Sequence, residues 1–77
     1  MSGEQVYRRA CASCHDSGDG GAPRRGDAQA WAWRLPYGRE MLARHAREGW
    51  GDMPPRGGHP DLSDAEVDAA TDWLLAQ

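Results

Sequence analysis

The sequence predicts an all-α fold of about four short helices. Three observations carry this: two capping boxes that start helices, apolar residues recurring at helical spacing, and Gly- and Pro-rich stretches between them with no alternating strand pattern. With 77 residues, no Phe, ten Gly and 39% apolar content, the chain is expected to be a single domain over residues 1–77 that is short of core material. Domains of this size generally depend on a disulfide, a metal or another staple.

The first helix is predicted from about Gly3 to Ala12. Ser2 and Gln5 form its capping box, and Gly3, Val6, Tyr7, Ala10, Cys11 and Cys14 fall on one face. Residues 16–26 crowd Ser17, Gly18, Gly20, Gly21, Pro23 and Gly26 into eleven positions, which is loop composition. Asp27 then caps a short helix through Leu35, ended by Pro36.

A third helix, about Gly38 to Glu48, turns Met41, Leu42, His45 and Ala46 to one side and stops at Gly49. Residues 50–60 form a second Pro- and Gly-rich loop. In the last helix Ser63 and Glu66 make a capping box, with Leu62 and Val67 stapled across it. Val67, Ala70, Thr71 and Leu74 line its apolar stripe, with Trp73 beside it. Asp64 and Glu66 suit the positive end of the helix dipole.

Both cysteines of the chain and the residue after them fall in Cys11-Ala12-Ser13-Cys14-His15, the attachment signature of a c-type haem. Two thiols one helical turn apart can reach the two vinyl groups on one haem edge, each forming a thioether. The following imidazole then comes under the iron. Two other uses of these residues stay open from spacing alone. A redox disulfide would want a βαβ setting, which is lacking. A zinc site could recruit Cys11, Cys14 and two of His15, His45 and His59, although His45 and His59 are not a close ligand pair.

An iron held by His15 needs a ligand on its other face, and that choice decides between electron transfer and ligand binding. Met53 is favoured because Pro54 and Pro55 stiffen the loop that carries it, as a weak thioether ligand requires. Met41, His45 and His59 are the alternatives; Met41 sits on an amphipathic helix where packing is its ordinary use.

The formal charge of −3 conceals an asymmetry. All nine Arg lie in residues 1–60 against seven acids, while Asp61, Asp64, Glu66, Asp68 and Asp72 give the tail five acids and no base. There is no basic patch with interleaved aromatics of the kind that binds nucleic acid, and no apolar run near the roughly 20 residues of a membrane span. No signal peptide is present. Because covalent haem attachment in bacteria follows export, the leader is expected to have been removed and the domain to work in the periplasm.

The run Cys11 to His15, then Gly21-Ala22-Pro23 and Gly26-Asp27, then Trp31 and Arg34, and finally Met53-Pro54-Pro55-Arg56-Gly57-Gly58, resembles the small bacterial monohaem class I cytochromes c, most of all the c-five subgroup. The resemblance covers nearly the whole chain in order. It implies the cytochrome c fold, with short helices wrapped around one covalent haem and the first and last helices crossing. Gly3 and Tyr7 match contact positions of the first helix, and Trp73 their aromatic partner in the last. Pro23 matches the proline whose carbonyl accepts from the proximal imidazole. Trp31 and Arg34 match residues near a haem propionate. Two departures stand out: Trp33 replaces a common Pro, and Gly58-His59-Pro60 stands where many c-five proteins carry a disulfide near the methionine loop.

The resemblance implies a soluble, monomeric carrier that shuttles single electrons between redox partners of a respiratory or photosynthetic chain, with His15 and Met53 as axial ligands. Arg24, Arg25 and Arg56 are expected around the exposed haem edge, where they would steer docking. No enzyme activity is expected, because a six-coordinate iron leaves no substrate position. The alternatives are a haem-based sensor or ligand-binding module, or a haem domain of a larger oxidoreductase.

Overall fold

The computed structural model describes residues 1–77. It contains five helices and no sheet: α1 (Gly3–Ala10), α2 (Ala12–His15), α3 (Ala28–Ala32), α4 (Arg39–Glu48) and α5 (Asp64–Leu75), with 3₁₀ turns at Asp19–Gly21, Leu35–Tyr37 and Pro55–Gly58. Both capping boxes form. The Ser2 and Ser63 hydroxyls accept from the Gln5 and Glu66 amides, whose side chains accept in return from the cap amides.

α1 and α5 cross in close contact at Gly3, where a Cβ would run into the carbonyl of Ala69. The approach lets Tyr7 and Trp73 pack with ring centroids 4.8 Å apart. The core built there is Val6, Tyr7, Ala10, Leu62, Val67, Ala70 and Leu74. Only ten of the 77 residues are buried, so this core is thin, and further apolar side chains such as Leu42, Met53 and Leu75 face a central cavity.

Two boundaries and one helix face differ from the sequence reading. The first helix stops at Ala10 and a second turn starts at Ala12; Cys11 between them caps both, with a stretched but right-handed backbone at φ −115°, ψ −30°. The helix capped by Asp27 ends at Ala32, not Leu35. Beyond it Arg34 and Tyr37 amides make tight i→i+3 bonds to the Trp31 and Arg34 carbonyls, both 3.0 Å, and Pro36 lies inside a 3₁₀ turn. On α4 the buried residue is Ala43, while Met41 is 42% exposed. The helix is turned by its packing on α5, which moves the inner face from Met41 towards Ala43.

The acidic tail is used internally. Asp61 pairs with Arg9 at 2.8 Å, Asp68 with Arg47 at 2.6 Å and Asp72 with Arg39 at 2.7 Å; Asp64 pairs with Arg56, and Glu66 caps α5. Arg47 also reaches Glu40 at 3.0 Å. These guanidiniums hold the carboxyls of Asp72 and Glu40 below the usual range, through charged hydrogen bonds first. The charge asymmetry of the sequence is thus a set of ties between α5 and the rest of the chain. No helix is long and apolar enough to cross a membrane.

Candidate functional site

A cavity of about 460 Å³ opens between α1, α4, α5 and the two long loops. It falls within the roughly 300–1,000 Å³ of cofactor pockets. Apolar residues from several elements form its walls, among them Val6, Ala10, Leu42, Leu62, Val67 and Leu74. Cys11, Cys14, His15 and Met53 all lie on its lining.

α2 sets the attachment edge. Its single turn runs from Cys11, whose carbonyl accepts from the Cys14 and His15 amides at 3.3 and 3.1 Å. Cys11 and Cys14 are therefore one turn apart and both half-buried, with free thiols. Burial, and then the neighbouring Cys14, push the Cys11 thiol up to about 11. A redox dithiol works through a depressed thiolate pKa, so this environment opposes the disulfide reading. No three His, Cys, Asp or Glu side chains converge in a metal-binding group.

His15 is buried, and its Nδ1 lies 2.8 Å from the Pro23 carbonyl oxygen. That contact requires Nδ1 to carry the proton and leaves Nε2 a free lone pair for a metal. The Trp31 ring stacks beside the imidazole with centroids 6.0 Å apart.

The Met53 turn is closed by its backbone. Trp50 and Met53 exchange amide-to-carbonyl bonds of 3.0 and 2.9 Å around Gly51 and Asp52. Its far end packs on α1, where a Cβ on Gly57 would strike the Ala10 carbonyl. Of the other candidate ligands, Met41 and His59 are absent from the cavity lining, while His45 is part of it but is stacked on Trp50.

Arg34 lines the cavity with its guanidinium 3.9 Å from the Trp33 ring centroid. It bonds only the Ala30 carbonyl and has no carboxylate partner. The Trp31 indole N–H is committed to the Arg24 carbonyl at 2.9 Å, so Trp31 contributes its ring rather than a donor.

Two of the three arginines expected at an exposed edge are held internally. Arg25 pairs with Asp16 at 3.4 Å and lies over the Tyr7 and Trp73 rings at 5.6 and 5.5 Å. Arg56 donates to the Leu62 carbonyl at 3.1 Å and to Asp64. Arg24 alone of the three is exposed without an acidic partner. The Arg25 wedge and the His45–Trp50 stack escaped the sequence reading, since both join residues distant in the chain through geometry that no local motif encodes.

The residues fit a covalent haem: two thiols a turn apart, an imidazole with its outer nitrogen fixed, a thioether on the same cavity, and a thin core around an apolar space. Comparison with known proteins agrees. A family model described as cytochrome C oxidase, cbb3-type, subunit III matches residues 1–74. The chain is 36% identical to cytochrome c-555 of Chlorobaculum thiosulfatiphilum, covering 99% of this chain and 93% of that one. It is 38% identical to cytochrome c5 of Azotobacter vinelandii, covering 90% and 86%. Among solved structures it matches a chain in the crystal structure of the electron transfer complex of nitrite reductase with cytochrome c, with TM-score 0.89, 43% identity and coverage of 96% and 90%. It also matches a mono-haem ferrocytochrome c from Shewanella putrefaciens, with TM-score 0.82, 32% identity and coverage of 96% and 91%.

Proposed function

Because the chain belongs to the small monohaem class I cytochromes c, we propose that residues 1–77 act as one electron-carrying domain with His15 and Met53 as the axial ligands of its haem. The protein carries one covalent c-type haem, and its role is electron transfer. Bound there, the haem supplies a one-electron ferric/ferrous couple.

The chain's own residues do the rest. Cys11 and Cys14 tether the haem edge. His15 offers Nε2, with its ring orientation fixed through Nδ1 and Pro23. Met53, held in a turn followed by two prolines, would offer its thioether to the bound iron, a ligand that would raise the potential and compete with exogenous ligands. Arg34, lacking a carboxylate partner, pairs with a haem propionate, and Trp31 packs against His15. The observation that carries the reading is the meeting of His15 and Met53 on one apolar cavity.

The domain works in the periplasm, where its haem is attached, and exchanges electrons with redox proteins. Arg24 is the free cation best placed to steer an acidic partner. With His15 and Met53 both holding the iron, a substrate would find no open position on it.

The test is reversible voltammetry of the purified holoprotein together with carbon monoxide titration at neutral pH. A single one-electron wave and no carbon monoxide binding to the ferrous form support the carrier. Stoichiometric carbon monoxide binding overturns it in favour of a ligand-binding module.

A further inference from the structure

The turn that carries Met53 has a side-chain clamp. Trp50, at its start, is 64% exposed, yet its indole lies face to face with the His45 imidazole, centroids 4.1 Å apart and planes 12° from parallel. Tyr37 meets the same imidazole edge-on at 6.5 Å. Trp50 is in turn tied to Met53 by the two reciprocal backbone bonds. His45 therefore reaches the Met53 backbone through one stacked ring and one closed turn.

The base of this clamp is rigid. α4, which bears His45, is fixed to α5 by Arg47–Asp68 and Arg39–Asp72. The other end of the loop is held by Arg56 on the Leu62 carbonyl and by the packing of Gly57 on α1. No side-chain hydrogen bond or ion pair reaches residues 50–53; those flanking the turn are Arg44–Glu48 before it and the bonds of Arg56 after it. The ring stack is the side-chain contact that fastens Trp50 to the helical frame, beside the close approach of the Met53 carbonyl and the Pro55 ring to Gly49 at the end of α4.

We propose that His45 and Trp50 are positioning residues for Met53, clamping its turn onto α4 and so setting how readily the sixth position of the iron opens. The proposal rests on the axial role of Met53 argued above. Loss of the stack frees the turn to swing and exposes the iron to small ligands. The histidine acts as a flat ring, so any planar aromatic at position 45 serves.

The experiment follows the rate of cyanide binding to the ferric holoprotein, which is limited by departure of the native ligand. Stacked aromatic pairs are of a strength that predicts a rate increase of about fivefold to tenfold in Trp50→Ala and in His45→Ala. His45→Phe is expected to keep the wild-type rate. A change below twofold in both alanine variants overturns the clamp, and so does a His45→Phe variant as fast as His45→Ala. Trp50 is largely exposed, so its alanine variant keeps the fold, which the midpoint of denaturation checks. Met53→Ala separates the two claims: it binds cyanide far faster than wild type if Met53 is the ligand, and an unchanged rate removes the ligand assignment itself.

Discussion

The Nδ1 atom of His15 lies 2.8 Å from the carbonyl oxygen of Pro23, eight residues further along the chain in a glycine-rich loop. The imidazole is buried and this is its one hydrogen bond, so the proline loop fixes both the tautomer and the rotation of the ring. Pro23→Gly leaves a carbonyl in place but frees the backbone. It is expected to lower stability by roughly 1 kcal/mol and to speed solvent exchange of the His15 Nδ1 proton, as followed by NMR of the ferrous holoprotein. Unaltered exchange would show that the loop does not orient the ligand.

Of the glycines, Gly3 and Gly57 lie tightest against neighbouring backbone, at the carbonyls of Ala69 and Ala10. Gly3→Ala must separate α1 from α5 and is expected to cost about 1–3 kcal/mol, the range of overpacked cores. Gly57→Ala adds strain, because φ there is +61°, and should cost at least as much. Guanidinium denaturation of the holoproteins measures both.

Tyr7 is fully buried with its hydroxyl donating to Asp16. Burial, and then the bond to Asp16, hold its phenol well above the ordinary value of 10.0. A native pKa raised above the unfolded one stabilises fully below pH 10, and that contribution is lost as pH climbs from there towards the native value. Tyr7→Phe is therefore expected to be less stable than wild type by about 1–2 kcal/mol near pH 8, with the gap narrowing above pH 10. Denaturation midpoints taken from pH 8 to 11 check this; a gap independent of pH contradicts it.

Arg24 and Arg25 are adjacent yet do different work. Arg25→Gln removes the cation over the Tyr7 and Trp73 rings and the tie to Asp16, and is expected to lower stability by about 1 kcal/mol. Arg24→Gln should leave stability unchanged and slow association with an acidic redox partner, the effect fading at high salt. Stopped-flow electron transfer at two ionic strengths, beside thermal denaturation, distinguishes the two. Equal association rates for Arg24→Gln and wild type would remove it from the docking surface.

What the sequence revealed was local chemistry. Ser2 with Gln5, Ser63 with Glu66 and the Cys11–His15 run are read within five residues, and the structure forms each of these caps and the attachment turn. Met53 stands out in the sequence because two prolines follow it, and the structure lines the cavity with it. Features set by distant neighbours were not. Met41 shares a helical face with Leu42 and His45 by period, but packing of α4 on α5 turns it to solvent. The break at Cys11 carries no Gly or Pro, and Arg25 looks like any loop cation until Tyr7 and Trp73 are brought beneath it.

The central claim is that Met53 completes the iron opposite His15. The most direct measurement is the weak charge-transfer band of ferric iron with thioether sulphur, recorded for wild type, Met53→Ala and Met41→Ala holoproteins. The band is expected in wild type and in Met41→Ala and is expected to vanish in Met53→Ala. Its survival in Met53→Ala, or its absence from wild type, would contradict the assignment.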